Sequence, residues 1–75
     1  MRRVVGLVAK DDWTLIVTFS AYVVKRFDVK PLLSCEAFSQ LRDLAEFKRV
    51  RNGGYYVEWD SGADLSADTL YLEGS

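Results

Sequence analysis

The segment RVRNGGYYVEW, residues 49–59, constrains the fold more than any other stretch of the chain. Within it, Asn52-Gly53 stands between two runs of residues that favour strands. Asn-Gly pairs readily adopt the positive φ angles of a tight hairpin turn. The sequence therefore predicts two antiparallel strands joined at residues 52 and 53.

The first third of the chain predicts three more strands. Lys10-Asp11-Asp12 is typical of a turn, and Ser20-Ala21 is the predicted second turn although neither residue favours the positive φ of a tight hairpin. These two turns separate three runs rich in β-branched and aromatic residues. These runs are RVVGLVA, WTLIVTF and YVVKRFDV. Pro31 ends the third of them, because proline cannot donate to a strand ladder.

Alternation in the second run sets the face that we expect to be buried. Leu15, Val17 and Phe19 lie on one side of the predicted strand, and Thr14, Ile16 and Thr18 lie on the other. A two-residue loop at Ser20-Ala21 sets Val17 opposite Val24 and Phe19 opposite Tyr22.

Two helical regions are predicted around these strands. Ser34 is expected to cap the first, and Asp43 with Glu46 matches a capping box that interrupts and restarts it. Ser66 is expected to cap a short C-terminal helix, with Asp68 in its first turn.

These elements predict one α+β domain over residues 1–75, in the order β-β-β-α-β-β-α. A small antiparallel or mixed sheet is expected to pack against one or two short helices. A chain of 75 residues buries only about 60% of its unfolded surface, so large side chains have to supply the core. We expect that core to consist of Leu15, Val17, Phe19, Val24, Phe38, Leu41, Phe47 and Trp59.

Charge and composition narrow the classes of function. Residues 1–51 hold all ten Lys and Arg against six Asp and Glu, and residues 52–75 hold five acids and no base. The chain has no histidine, which excludes histidine-based acid–base chemistry and histidine metal ligands. A single cysteine, Cys35, and the lack of a long apolar run indicate a cytoplasmic protein that does not act at a membrane. A homodimer is a reasonable expectation for so small a domain.

The acids around Trp59 raise the question of a metal site. Glu58, Asp60 and Asp64 lie within seven residues, and a small metal-dependent enzyme would use such carboxylates. Their spacing does not match a calcium loop, and the segment carries no base. We therefore expect a turn at Asp60-Ser61-Gly62, an Asx-type turn at Asp64, and no metal or cofactor.

Two further sets of residues are candidates for chemistry or binding. Ser34 and Cys35 are possible nucleophiles, but no histidine can activate them, and we expect Cys35 to be half-buried. A basic set could bind nucleic acid, although the net charge of −1 opposes it. That set consists of Arg2, Arg3, Lys25, Arg26, Lys48, Arg49 and Arg51.

Four blocks, FDVKPLL, FSQLRD, FKRV and WDSGADLSADTLY, follow one another in this order. In them the chain resembles the bacterial domain-of-unknown-function family DUF2442, from about Val4 to Tyr71. The most specific part is the W-x-x-G-A-D-L run that ends at Leu65. The residues that carry the resemblance are Phe27, Asp28, Pro31, Leu32, Leu33, Trp59, Gly62, Ala63, Asp64, Leu65 and Tyr71. The family usually has Asp-Gly where this chain has Ser20-Ala21, and often proline where it has Leu44.

The resemblance implies a role in binding rather than in catalysis. The family is uncharacterised, but some members are encoded beside another small protein, which implies an antitoxin-like role with a small protein partner. Some longer relatives append a helix-turn-helix domain, which supports nucleic-acid binding as the alternative. We therefore expect a protein-interaction module that is not an enzyme.

Overall fold

The computed structural model describes residues 2–75, which form six strands and two α-helices. The strands are β1 (Val4–Ala9), β2 (Thr14–Phe19), β3 (Val24–Asp28), β4 (Arg51–Asn52), β5 (Tyr56–Glu58) and β6 (Asp64–Ser66). The helices are α1 (Leu44–Phe47) and α2 (Ala67–Glu73), and short 3₁₀ helices cover Ser20–Tyr22, Lys30–Leu32 and Glu36–Arg42. The predicted α+β class and order of elements are confirmed, with β6 as an additional short strand before α2.

The strands divide between two antiparallel sheets. The first sheet has the order β1-β2-β3, and the second has the order β4-β5-β6. The two sheets meet at Val4, whose N–H donates to the Gly54 carbonyl at 2.6 Å. The Asn52 side-chain amide donates to the Val4 carbonyl at 3.0 Å.

The hairpin predicted at Asn52-Gly53 is present, but its two-residue turn is Gly54-Tyr55, two positions further along. Asn52 belongs to β4 and pairs with Val57, and the Gly53 N–H donates to the Tyr56 carbonyl at 2.8 Å. Gly54 supplies the positive φ, +91°. The Asn52 side chain accepts from the Gly54 N–H at 2.8 Å, so it supports the turn from inside the strand.

The predicted register between β2 and β3 is wrong by one residue. Thr18 lies opposite Val24 and Val17 opposite Lys25, because the loop has three residues, Ser20–Tyr22, rather than two. The observed register sets Phe27 opposite Leu15 on the buried side of the sheet. The predicted register would have moved Phe27 to the other side, since a one-residue slip reverses every side chain. Burial of the larger Phe27 therefore decides the register, and Val24 is left 55% exposed.

The core lies between the two sheets and the helical segment. Its predicted members Leu15, Val17, Phe19, Leu41, Phe47 and Trp59 are buried, whereas Val24 is exposed and Phe38 is only partly buried. The Trp59 indole stacks on Phe47 with ring centroids 6.2 Å apart. Its N–H donates to the Phe47 carbonyl at 2.8 Å. Trp59 therefore joins the second sheet to α1.

The helix starts agree with the sequence at two of three positions. The Ser66 hydroxyl accepts from the Thr69 N–H at 3.1 Å, and the Asp43 carboxylate accepts from the Ala45 N–H at 3.0 Å where α1 begins. The cap predicted at Ser34 is wrong, because its hydroxyl instead donates to the Pro31 carbonyl and the next 3₁₀ helix starts after Cys35. None of the helices within residues 2–75 has the length and apolar character needed to cross a membrane.

Candidate interaction surface on the first sheet

One side of the first sheet faces away from the core. Pairing sets Val8 opposite Ile16 and Ile16 opposite Arg26, and it sets Gly6 opposite Thr18 and Thr18 opposite Val24. Directly opposed residues of antiparallel strands share one side of a sheet. We call this surface the outer face; it consists of Gly6, Val8, Ile16, Thr18, Val24 and Arg26.

The outer face combines apolar side chains with one cation. Val8 and Val24 are each 55% exposed, and Ile16, which is opposite Val8 and diagonal to Val24, is partly exposed. Within residues 2–75, Arg26 has no carboxylate partner, whereas Asp28 at the end of β3 pairs with Lys30 at 3.1 Å. Exposed apolar side chains beside a guanidinium that has no carboxylate partner form a surface that a complementary protein could cover.

Toward the end of β1, two residues on its outer edge have no backbone hydrogen-bond partner among residues 2–75. The Lys10 N–H donates to the Thr14 carbonyl at 2.8 Å, so Lys10, Val8 and Gly6 direct their backbone groups toward β2. Leu7 and Ala9 therefore direct theirs away from the sheet, and no backbone partner for them is found there among residues 2–75. The other edge is partly covered, because the Ser75 N–H donates to the Arg26 carbonyl at 2.9 Å.

The loop between β2 and β3 presents an aromatic side chain beside the outer face. Tyr22 is 92% exposed, and it follows Ala21 in the left-handed region, with φ of 63° and 70° respectively. Residues without a glycine's freedom are strained in this region, and such strain concentrates at functional sites. The loop thus holds Tyr22 in solvent next to Val24.

The residues that carry the family resemblance mostly support the fold. Trp59, Ala63, Leu65 and Phe27 are buried, and Tyr71, Leu32 and Leu33 pack against the core. Gly62 has a φ of +95°, as the predicted turn requires. Pro31 lies in the first turn of a 3₁₀ helix, and the Asp28 carboxylate accepts from the Lys30 N–H at 3.0 Å. These residues do not converge on one chemical site.

The acids near Trp59 lie beside a base that the segment itself lacks. Pairing of β4 with β5 brings Arg51 to Glu58 at 3.0 Å and also into contact with Asp60. Hydrogen bonds to Asp60 and then to Glu58 raise the pKa of the Arg51 guanidinium. Asp64 does not form the predicted Asx-type turn but begins β6 opposite Glu58. The guanidinium of Arg51 therefore neutralises two of the three carboxylates, Glu58 and Asp60, in the place where a metal ion would have done so.

Ion pairs occupy much of the basic set. Arg2 pairs with Asp68 at 3.3 Å, Arg49 pairs with Glu46 at 3.7 Å, and Lys48 pairs with Asp11. With Arg51, four of the seven candidate bases thus contact carboxylates. Arg2 and Lys25 also lie over the Tyr71 ring, at 3.9 and 4.7 Å from its centroid. Arg3 and Arg26 have no carboxylate partner within the described chain.

The candidate nucleophiles do not form a reactive site. Cys35 carries a free thiol and is exposed, so the expectation that it is half-buried is wrong. Ser34 donates its hydroxyl hydrogen to a backbone carbonyl at 3.4 Å. Among residues 2–75 no cluster of three or more Cys, Asp or Glu side chains is arranged to hold a metal ion.

The outer face was not predicted from the sequence, because only the side of β2 that was expected to be buried was considered. The signal was present in WTLIVTF, where Ile16 interrupts the polar side formed by Thr14 and Thr18. Val8 lies directly beside it. The predicted register between β2 and β3 placed Val24 in the core, so Val24 was not expected on the surface.

Comparison with known proteins identifies a family without a described activity. A family model described as "Protein of unknown function (DUF2442)" matches residues 4–74, nearly the whole chain. The match confirms the resemblance seen in the sequence. Neither the curated proteins nor the solved structures include a significant match.

Proposed function

The chain belongs to the DUF2442 family, and we propose that it is a protein-interaction module whose outer face binds a small protein partner. The observation that carries the proposal is an apolar surface formed by half-exposed Val8, by Ile16 opposite it, and by half-exposed Val24, which lies diagonally across from Ile16. Contiguous apolar surface on a small domain costs solubility unless a partner covers it. No catalytic residue or cofactor enters this function.

The chemistry of the outer face specifies what the partner has to present. Its apolar centre requires an apolar surface of similar size, and Arg26 requires a carboxylate or carbonyl oxygen opposite it. Tyr22 at the rim is the type of side chain that most often anchors a protein interface. A partner with an apolar strip and an acidic residue fits both requirements.

The biological role that we propose is neutralisation of that partner. The partner is the small protein encoded beside some members of the family, and this chain acts as its antitoxin. Nucleic-acid binding, the alternative, has less support because carboxylates contact four of the seven candidate bases and reduce the charge available to phosphates.

Binding to the product of the adjacent gene tests the proposal. We expect association at micromolar concentration, and we expect Val24→Lys to weaken it at least about tenfold, because a buried lysine without a partner is costly. The matched control is Leu72→Lys on α2, since Leu72 is also exposed but lies outside the outer face. Isothermal titration calorimetry measures both, with circular dichroism to confirm folding.

Two outcomes would reject this function. One is that the two purified proteins do not associate at micromolar concentration. The other is that Leu72→Lys weakens binding as much as Val24→Lys does, which would place the interface elsewhere.

A further inference from the structure

The edge of β1 lacks the features that normally protect an edge strand. Its sequence, VVGLVA, contains neither a charged residue nor a proline. Edge strands of soluble proteins usually carry such residues or are covered, because free N–H and C=O groups invite another strand. The second sheet contacts the start of β1, where Val4 bonds Gly54 and Asn52. Beyond it, the outward backbone groups of Leu7 and Ala9 have no hydrogen-bond partner among residues 2–75.

We propose that two copies of the chain pair through this edge, as antiparallel strands related by a two-fold axis at Val8. The free groups of Leu7 would bond those of Ala9 of the partner subunit, and the symmetry repeats the pair, which gives four hydrogen bonds. Val8 directs its own backbone groups toward β2, so it would face Val8 of the partner subunit as a non-hydrogen-bonded pair. Side chains of such pairs are in close contact.

A second copy fits the edge better than an unrelated strand because the ends of β1 carry opposite charges. Arg2 and Arg3 precede the strand, and Asp11 and Asp12 follow Lys10 in the turn after it. An antiparallel arrangement brings Arg3 to the end where Asp12 of the partner subunit lies. Arg3 has no carboxylate partner within its own described chain. The pairing therefore adds a charge interaction at each end of the four hydrogen bonds.

The dimer would enlarge the outer face rather than cover it. Two three-stranded sheets would become one sheet of six strands, with Val8 of each copy at its centre and Val24 near each far edge. The inference does not depend on the proposed function, since the edge and the outer face are different surfaces. Together they imply a two-fold-symmetric surface for the partner protein.

Charge substitutions at the axis test the dimer directly. We expect wild-type chain to dimerise, and we expect Val8→Lys and Val8→Glu to weaken dimerisation at least about tenfold each, because each places two like charges face to face. An equimolar mixture of the two variants should restore a dimer, since lysine then faces glutamate. Sedimentation velocity measures the association, and circular dichroism checks that each variant folds.

The control is Val24→Lys, because Val24 has the same 55% exposure on the same face but lies on β3. It should leave the dimer unchanged even where it abolishes partner binding. A wild-type chain that stays monomeric up to its solubility limit would overturn the inference, and so would a mixture that fails to restore the dimer. Either result would leave the proposed partner binding intact.

Discussion

The two sheets of this molecule are stabilised in different ways. In the first sheet, strands of five or six residues form long ladders with one irregularity between Val4 and Gly6, and the sheet leaves one side open to solvent. In the second, strands of two or three residues pair over only a few positions. Because these short ladders contain few backbone hydrogen bonds, side-chain hydrogen bonds add to their stability. Trp59 donates to Phe47, Asn52 donates to Val4, and Arg51 bonds both Glu58 and Asp60.

This difference explains where the most specific run of the family resemblance lies. A short ladder depends on particular side chains, and the W-x-x-G-A-D-L run supplies three of them to the core as Trp59, Ala63 and Leu65. A long ladder is held by backbone hydrogen bonds, so residues on its open side are free to serve another purpose. The run that identifies the family thus describes how the second sheet folds, and the candidate interaction surface lies on the first.

Removing Trp59 should break the second sheet and give the largest effect on stability. Trp59→Ala deletes a side chain that is 2% exposed and contacts both Phe47 and Phe38. We expect the free energy of unfolding to fall by about 3–5 kcal/mol, measured by urea denaturation. A loss below about 1 kcal/mol would show that this sheet does not depend on its side chains.

The control, Trp59→Phe, keeps much of the apolar surface and loses the hydrogen bond to the Phe47 carbonyl. It should cost less than Trp59→Ala. If the two substitutions cost the same, the hydrogen bond rather than the packing holds the sheet.

Replacing Ala21 by glycine in the loop between β2 and β3 should change stability less than Trp59→Ala does, and should increase it. Ala21 has a φ of 70°, which an alanine adopts at a cost of about 1–2 kcal/mol and a glycine adopts freely. After the entropy that glycine loses on folding, Ala21→Gly should raise stability by up to about 1 kcal/mol. Thermal unfolding measures the gain. Ser20→Gly is the control, because Ser20 has no positive φ and should give no gain.

A substitution at Asp12, in the turn between β1 and β2, should have the smallest effect on stability, and the effect should depend on pH. The Thr14 side chain, and then its backbone N–H, hold the pKa of Asp12 below its ordinary value of 3.8. A lowered folded-state pKa stabilises the fold above the ordinary pKa, and the benefit is lost as pH falls through the folded value. The stability difference between wild type and Asp12→Asn should therefore be constant near neutral pH and shrink below 3.8. A difference independent of pH would exclude a role for the ionised carboxylate.

Local chemistry made most of the fold predictable from the sequence. Capping by Ser66 and Asp43, and the hairpin beside Asn52, depend on residues a few positions apart, so sequence patterns report them directly. The register of β3 depended on a competition between Val24 and Phe27 for the core, and the loop sequence did not reveal its outcome. The contact between Arg51 and Asp60 depended on which strands pair. Such non-local choices are settled by packing of the whole core, not by any one segment.

The hydrogen bond from Val4 to Gly54 also has a consequence for the order in which the chain assembles. Each strand of the first sheet pairs with its neighbour in sequence, so its loops are short and inexpensive to close. The hydrogen bonds between the sheets, in contrast, join residues 48 or more positions apart, as Asn52 and Gly54 are from Val4. Folding rates fall as contacts become more distant in sequence. We therefore expect the first sheet to form first and the second sheet to pair with it afterwards.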